Sequence, residues 1–556
     1  MSKIRFFSLG GLGENGKNMF VCEVDKQIFI LDAGLKYPSF DLYGIDSIIP
    51  DITYLITEQE RIQGIFISHG HEDHIGALVE VLKRLNKPVY GTNFTISILE
   101  DMLLEEGLDL KTYSLTKISE EDILTYGNVE IHFYFVSHSI PETVNIAIKT
   151  VDGALVYAPD FTFDVNNNPR YQISFNKLFA IAQMGVIALC SESLGTSNLN
   201  RLTHDEGLKH TINEVLQNAG RVIFSTFSSD LERIQKIINM AVNNNRRIAI
   251  IGRKAQKIVN IAINSGYLII PENRLVNLKY MDDNIKNDDE DLCIIVTGTR
   301  HEPFFMLQRM CRGQDRLINI SAKDSVVIVT PPVPGTERMA AKTIDILYRS
   351  DAKVTEIKKE ILKSTHADHD ELKMLYNILK PRYIVPIIGE YRHQYMQKKI
   401  ALEAGYQEGQ IILLENGEVA CFNDGIYSAC RNRIQTGDVL IDGSIVGDIN
   451  EIVLQDRDMM SEEGIVVLSV VINSNTKVLA SKPVIVTKGL IISESLDKII
   501  DKLIILTQDI VEVFLKKKYY DTNYLKKELQ LSIEKELYHL TKKKPLIMSA
   551  IVEIAE

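Results

Sequence analysis

At 556 residues, 45% hydrophobic and 24% charged with a formal net charge of −12, the chain is too long for a single core, and ordinary domain sizes divide it into about three or four domains. The acidic balance excludes a generally polyanion-binding exterior, so attraction for a phosphate-rich partner has to be local, in a cleft with metal ions and a few Lys or Arg. No apolar run reaches bilayer-spanning length, and Met1 to Phe7 leads straight into a strand pattern without a signal-peptide stretch, so a cytoplasmic protein with no membrane partner is expected. The six cysteines, Cys22, Cys190, Cys293, Cys311, Cys421 and Cys430, contain no CxxC pair and read as buried thiols.

Ile4 to Leu9 and Met19 to Leu31 alternate apolar and polar residues on either side of a glycine-rich stretch, Gly10 to Gly16, which predicts a hairpin. Gly11, Gly13 and Gly16 also match GxGxxG, with Asp32 downstream. A dinucleotide site requires a helix to open at the third glycine, whereas Met19 to Val24 and Gln27 to Leu31 have strand period, so that reading is set aside. A buried strand from Gly64 to Ser68 runs into His69-Gly70-His71-Glu72-Asp73-His74, and Ile75 to Leu85 has helical period. Strands at Val129 to Val136, Ala154 to Tyr157 and Val186 to Leu189 then end at Ser137-His138, Pro159-Asp160 and Ser191-Glu192. Each polar candidate sits just past the carboxyl end of a strand, where α/β sheets place their sites.

Residues 206 to 350 alternate helix and strand patterns and read as an α/β insertion; Tyr383 to Ile388 resumes the style of the first domain. Beyond about residue 445 the texture changes again. Strands at Gly464 to Val471 and Pro483 to Val486 precede amphipathic helices at Ser495 to Phe514 and Asn523 to Leu540, which make a separate C-terminal domain. The lysine runs at 516 to 518 and 542 to 544 read as solvated faces.

Only 12 histidines occur in the chain, and three of them fall within six positions beside an aspartate. His69 and His71, one residue apart on a loop after a strand, can aim at one cation, and Asp73 with His74 at a second. Two such ions about 3.5 to 4 Å apart clamp the attacking and leaving oxygens of a phosphoryl displacement. Zinc suits the nitrogen and oxygen donor mix, and manganese or magnesium tolerates the carboxylates. His138 and Asp160 are the strand-end candidates for a further ligand and a bridging carboxylate. A small-molecule hydrolase would explain His69 to His74 equally well, but not the inserted domain, Glu192 or His366.

The sequence resembles ribonuclease J, of the β-CASP branch of the metallo-β-lactamase superfamily. The resemblance rests on Leu9 to Met19, Gly44-Ile45-Asp46 with Ile49-Pro50-Asp51, His69 to His74 and Ser137 to Pro141, and later on Gly220-Arg221-Val222, Arg233-Ile234-Gln235, Glu302-Pro303 and Leu372-Lys373 with Lys380-Pro381. It implies a metallo-β-lactamase αββα sandwich in two parts, 1–205 and 351–445, with a β-CASP domain inserted at 206–350, a linker at 446–463 and a small α/β C-terminal domain at 464–556. The activity implied is metal-dependent RNA hydrolysis in RNA decay and maturation, 5′ to 3′ from monophosphorylated ends and in some members endonucleolytic. The implied partners are RNA and a second subunit, in a homodimer, a homotetramer or a hetero-oligomer with a related ribonuclease.

By position, His69, His71 and His138 would hold one zinc ion, Asp160 would bridge, and Asp73 and His74 would hold the second. Asp73 would also orient or deprotonate the attacking water, with Asp32 as support. Glu192 falls at the first extra acidic motif of the β-CASP group. His366 falls at the later histidine motif, which faces the scissile phosphate and assists the leaving oxygen. Ser228, Arg300, Ser364 and His366 would line the substrate.

Several positions depart from the family pattern. Ile388 stands where a histidine completes the second metal site, and His369 and His393 are the neighbouring candidates to replace it. Asp368 puts a carboxylate where a serine would help hold phosphate, and such a charge would oppose the ligand. Arg300-His301 replaces Gln-Gly, Asp230 replaces an asparagine, and Tyr157-Ala158-Pro159 stands before Asp160 in place of His-Thr-Gly. These changes imply an alternative: a catalytically weak subunit that binds RNA or supports an active partner.

Overall fold

The structure is a computed structural model that describes residues 2–555 except 40–41, 165–167, 198–205, 219, 253–254, 282–288, 330, 333–335, 431, 448–450, 491–495 and 518–520. The chain forms two units, residues 1–37 with 47–439, and residues 38–46 with 440–556.

In the first unit two sheets face each other. An eight-stranded sheet runs in the order Ile426–Ala429, Val419–Asn423, Lys3–Gly10, Met19–Val24, Gln27–Leu31, Ile62–Phe66, Val89–Gly91, Leu115–Lys117. A six-stranded sheet runs Tyr383–Ile387, Val186–Glu192, Gly153–Ala158, Val144–Thr150, Val129–Phe135, Ile123–Tyr126. Their facing sides share one core, in which Phe6, Phe20, Leu31 and Phe66 of the first sheet meet Ile131, Phe133, Ile146 and Leu155 of the second. The alternate residues are buried too, because helices cover the outer faces. Phe7 meets Tyr54 of helix Thr53–Thr57 edge-on at 5.5 Å. Tyr134 and Val156 pack under helices Phe175–Gln183 and His369–Leu379 through Leu178, Ile181, Leu372 and Leu375. Burial on both faces is why strands such as Gly153–Ala158 are apolar throughout.

The Val186–Glu192 strand pairs in parallel with Tyr383–Ile387, so the chain leaves this sandwich and re-enters it on an adjacent strand. Between them lies a five-stranded parallel sheet in the order Arg247–Ile251, Leu292–Gly298, Val222–Phe227, Ser325–Ile328, Lys353–Glu356. One face of it is covered by Leu231, Ile234 and Ile238, the other by Phe304, Leu307 and Leu347.

In the second unit Ile465–Asn473 pairs antiparallel with Val484–Lys488 and parallel with Leu546–Ile554. Helices Leu496–Leu515 and Thr522–Thr541 cover one face, through Leu503, Val511, Leu529 and Ile533 against Val466, Leu468, Val470 and Ile472. On that sheet's strands Val467, Val484, Val486, Met548 and Val552 remain exposed. Among the described residues no helix is long and apolar enough to cross a membrane.

Several expectations are corrected. The helical stretch Ile75 to Leu85 is two pieces, Glu72–Ile75 and Leu78–Leu85. The stretch 446–463, expected as a linker, carries helix Glu451–Glu463; its Glu, Leu, Gln, Arg and Met residues favour helix without an apolar stripe to announce it. Strand Leu546–Ile554 follows a lysine run and was not foreseen. Glu192 is the last residue of its strand, not a residue beyond it. Cys421 and Cys430 form a disulfide, with Cα atoms 5.9 Å apart, because the hairpin of Val419–Asn423 and Ile426–Ala429 folds them together; Cys311 is only partly buried.

Candidate metal centre

The carboxyl ends of both sheets bring His69, His71, His74, His138, Asp160, Glu192 and His366 together; Asp73 lies beside His74 at 3.5 Å but joins none of the close groups. His71 caps the short helix Glu72–Ile75, which turns Asp73 and His74 back toward the sheet. The turn is held by the main chain: Asn18 N donates to Asp73 O at 3.0 Å, Ala33 N to His74 O at 2.8 Å and Leu35 N to Glu72 O at 3.0 Å. Gly34 makes this approach possible, since a Cβ there would lie 1.6 Å from Asp73 O. His69, His71 and His138 form one group of mutually close ligand atoms, His69, His74 and Asp160 a second, and Asp160, Glu192 and His366 a third, each with all its ligand atoms within 4.8 Å of one another.

The hydrogen bonds on the far side of each ring decide its tautomer. Ser68 Oγ donates to Asp32 Oδ2 at 2.8 Å and so accepts from His69 Nδ1–H at 2.9 Å. His138 Nδ1–H donates to Thr365 O at 2.8 Å, and His71 Nε2–H to Ser229 O at 3.1 Å. The lone pairs of His69 Nε2, His71 Nδ1 and His138 Nε2 are therefore left converging, with His71 Nδ1 2.9 Å from His69 Nε2 and 3.2 Å from His138 Nε2. Burial, reinforced by the neighbouring imidazoles, holds His69 well below the usual histidine range; burial also lowers His71, and takes His138 down to about 3. Three neutral imidazoles with facing lone pairs repel one another unless a cation sits between them, so the donor set fits a divalent metal.

The second position is organised by Asp32, which is fully buried. Its carboxylate accepts Ser68 N and His74 Nδ1–H at 2.7 Å each, Ser68 Oγ at 2.8 Å and Tyr157 O–H at 2.7 Å. His74 Nε2 then faces Asp160 Oδ2 at 2.9 Å and Asp73 Oδ2 at 3.5 Å. Burial, the largest single influence, pulls His74 down, but Asp73, Asp32 and Asp160 together raise it well above the usual range. A positive charge, proton or metal, belongs between His74 and these carboxylates. Asp160 is held well below the usual carboxylate range, since His366 and His74 outweigh the desolvation that would raise it.

Ile388 cannot contribute a ligand. It is fully buried in the core beside Leu12 and Phe20, and its carbonyl accepts from Ser193 N at 3.2 Å and Ser193 Oγ at 2.7 Å. Its φ of 54° lies in the left-handed region, where a β-branched residue costs about 1 to 3 kcal/mol. Neither candidate replacement reaches the site: His369 Nε2 bonds Thr196 O at 3.0 Å, and His393 Nδ1 accepts from Glu390 N at 3.2 Å in a helix cap.

Glu192 and His366 form a pair. His366 Nδ1 lies 2.8 Å from Glu192 Oε2 and 2.9 Å from Asp160 Oδ1. Glu192 Oε1 accepts from Phe161 N at 3.0 Å and Ala367 N at 3.1 Å, which ties the Asp160 loop to the His366 loop. Burial lowers His366, yet Glu192 and Asp160 overcome it and raise it well above the usual range; burial takes Glu192 up to about 7, with Asp160 adding and His366 opposing.

The predicted substrate-lining residues are placed less uniformly. Ser228 is buried, its hydroxyl without a hydrogen-bond partner. Ser364 Oγ donates to His366 O at 2.8 Å and accepts from His366 N at 3.2 Å, bracing the loop. Arg300 lies over the Tyr37 ring at 4.7 Å, and Tyr37 O–H in turn donates to Glu72. Asp368 caps helix His369–Leu379, its Oδ1 accepting from Asp370 N and Glu371 N, each at 3.0 Å. Asp230 likewise caps helix Leu231–Asn243, accepting from Arg233 N at 3.0 Å. A cleft beside His138 carries Arg233, Lys236 and Lys363. Each is paired with a carboxylate, Arg233 with Asp230 at 3.0 Å, Lys236 with Glu232 at 2.9 Å and Lys363 with Asp164. The supporting roles of Ser68, Tyr157, Asn18 and the Ser229 and Thr365 carbonyls were missed, although Ser68 adjoins the histidine cluster, Tyr157 stands in the altered motif before Asp160 and Asn18 lies in the Leu9 to Met19 block.

Residues 12–103 match the metallo-beta-lactamase superfamily, 219–347 the ribonuclease J beta-CASP domain, 357–409 the Zn-dependent metallo-hydrolase RNA specificity domain and 452–554 the ribonuclease J C-terminal domain. The chain is 35% identical to Ribonuclease J2 of Bacillus subtilis (strain 168) over 99% of both chains. It is 34% identical to Ribonuclease J 2 of Staphylococcus aureus (strain MRSA252) over 99% of this chain and 98% of that one. A crystal structure of a protein of unknown function from Enterococcus faecalis V583 superposes with a TM-score of 0.52 at 15% identity, covering 75% of this chain and 99% of that chain, which shows a shared fold. With a relative 35% identical over 99% of both chains and four stretches matched by these family models, the chain belongs to the ribonuclease J family.

Proposed function

We propose that this metal-dependent ribonuclease hydrolyses the RNA backbone at the centre built by His69, His71, His74, Asp73, His138 and Asp160, working 5′ to 3′ from monophosphorylated ends and, in a secondary mode, internally. The observation that carries the reading is the convergence of His69 Nε2, His71 Nδ1 and His138 Nε2 with all three protons directed outward. Divalent zinc, or manganese in its place, supplies Lewis-acid activation of water and neutralises charge on the phosphoryl group. The chain's residues do the rest. Asp73, half-exposed at the rim, orients the attacking water and takes its proton. His366 Nε2, left outward because Nδ1 is held by Glu192 and Asp160, gives a proton to the leaving oxygen. Ser364 and Arg300 border the path of the strand, with Ser228 buried behind them.

A catalytically weak subunit is the second reading, supported by Ile388 in the core and by the cleft cations already paired with carboxylates. Self-association through the C-terminal unit is supported by the exposed Val467, Val484, Val486, Met548 and Val552; light scattering on the full chain and on Val486→Lys tests it. Turnover of 5′-monophosphorylated RNA with manganese or zinc, measured beside His71→Ala, separates an active enzyme from a binding subunit. Equal rates for the two proteins would sink the catalytic reading.

A further inference from the structure

The amide of Asn18 lies beside His74 and Asp73, the pair of second-site candidates that Ile388 cannot join. Asn18 is fully buried, and its Nδ2 sits 3.1 Å from His74 Nε2 and 3.2 Å from Asp73 Oδ2. Its Oδ1, equally buried, has no hydrogen-bond partner. The residue cannot drift, because its N–H donates to Asp73 O at 3.0 Å and its carbonyl accepts from Gly34 N at 2.9 Å. It is thus stitched by its main chain to the loop that carries Asp73 and His74.

The two ends of a carboxamide are nearly the same size, and which of them faces a neighbour follows from the network around it. As placed, the NH2 group faces the lone pair of His74 Nε2, and the acceptor is stranded against Gly11, where a Cβ would come within 2.7 Å of Oδ1. Gly11, with no Cβ, leaves that side open to the NH2 group. A half-turn about the Cβ–Cγ bond exchanges the ends and points a neutral oxygen donor at the space between His74 and Asp73. The separations suit this. Donors bound at about 2.1 Å to one ion lie about 3.0 Å apart at octahedral and 3.4 Å apart at tetrahedral angles.

We propose that Asn18 Oδ1 is a ligand of the second metal position, completing with Asp73, His74 and Asp160 the set that Ile388 leaves short. The proposal rests on the metal-centre reading above. It makes the glycine-rich block that ends at Asn18 part of the metal site rather than only a turn.

The test is manganese binding to the full chain, by calorimetry and by metal analysis after dialysis, for wild type, Asn18→Ala, Asn18→Asp and the double variant Asn18→Ala/Ile388→His. Wild type should bind two ions per chain. Asn18→Ala should lose the second or bind it about tenfold or more weakly, Asn18→Asp should retain it through a carboxylate oxygen, and the double variant should regain it, which also shows that Asn18→Ala folds. Two ions at unchanged affinity in Asn18→Ala would overturn the proposal, as would equal losses in Asn18→Ala and Asn18→Asp, the pattern of a purely structural amide. Binding of one ion by wild type, unchanged in Asn18→Ala, overturns it while leaving the three-histidine site standing. No binding by wild type fails the metal-centre reading itself and this proposal with it.

Discussion

Asn at position 32 would change the proton on a histidine 42 residues away. Asp32 accepts four hydrogen bonds at 2.7 to 2.8 Å and donates none. In Asp32→Asn, Oδ1 can still serve Ser68 N, but the other arm becomes a donor facing His74 Nδ1, Ser68 Oγ and Tyr157 O–H. Ser68 Oγ already accepts from His69. Turning the His74 tautomer over lets Nδ1 accept from the new amide, and Nε2 then carries the proton. The lone pair meant for the metal is lost. Outer partners of this kind are worth about 10- to 100-fold in metal affinity, or about 1.4 to 2.7 kcal/mol. Fold stability falls as well, by about 1.5 to 3 kcal/mol for lost hydrogen bonds to a buried charged group. Calorimetric manganese titration of wild type and Asp32→Asn, with thermal melts of both metal-free proteins, measures the two effects separately. Affinity within twofold of wild type would refute the tautomer argument.

Ile388→His supplies an imidazole at a left-handed position that histidine tolerates better than isoleucine; metal analysis should show the second ion bound about tenfold or more tightly than in wild type. Glu192→Gln removes the charge that, with Asp160, raises His366 above the usual range, so the imidazolium gives up its proton at lower pH. The alkaline limb of the rate profile should move toward acid, and an unmoved limb would count against His366 as the proton donor. Asp438 is pushed up by burial, but Lys17 and Lys36 outweigh this and hold it below 3.8. A depressed carboxylate stabilises the fold above its unfolded value and loses that contribution as pH falls through the folded one. The melting-temperature gap between wild type and Asp438→Asn should therefore be full above about pH 5 and close below about pH 4; a constant gap would contradict the pairing.

Much of the molecule could be read along the chain. The His69 to His74 cluster specified metal chemistry because donor types at that spacing, on a loop after an apolar strand, have few other uses. The positions of His138 and Asp160 followed from strand period alone, since a strand's end is where its side chains leave the core. The α/β alternation of the insertion was legible for the same reason, since period 2 and period 3.6 are written locally, whereas the sandwich was implied by the resemblance of the motif blocks. What tertiary structure decided are matters of direction and partner. Thr365 and Ser229, distant in sequence, set the tautomers of His138 and His71. Asp368, which read as an opposing charge, and Asp230, which read as a replacement for asparagine, are both helix caps, because a short acidic side chain at a helix start meets unpaired N–H groups. Cys421 and Cys430 became partners only when a hairpin closed. Asn18 lay within the Leu9 to Met19 block in the sequence; packing against Gly34 and the Asp73 turn brings its amide beside His74 and Asp73, and no local pattern encodes which side chains a fold places face to face.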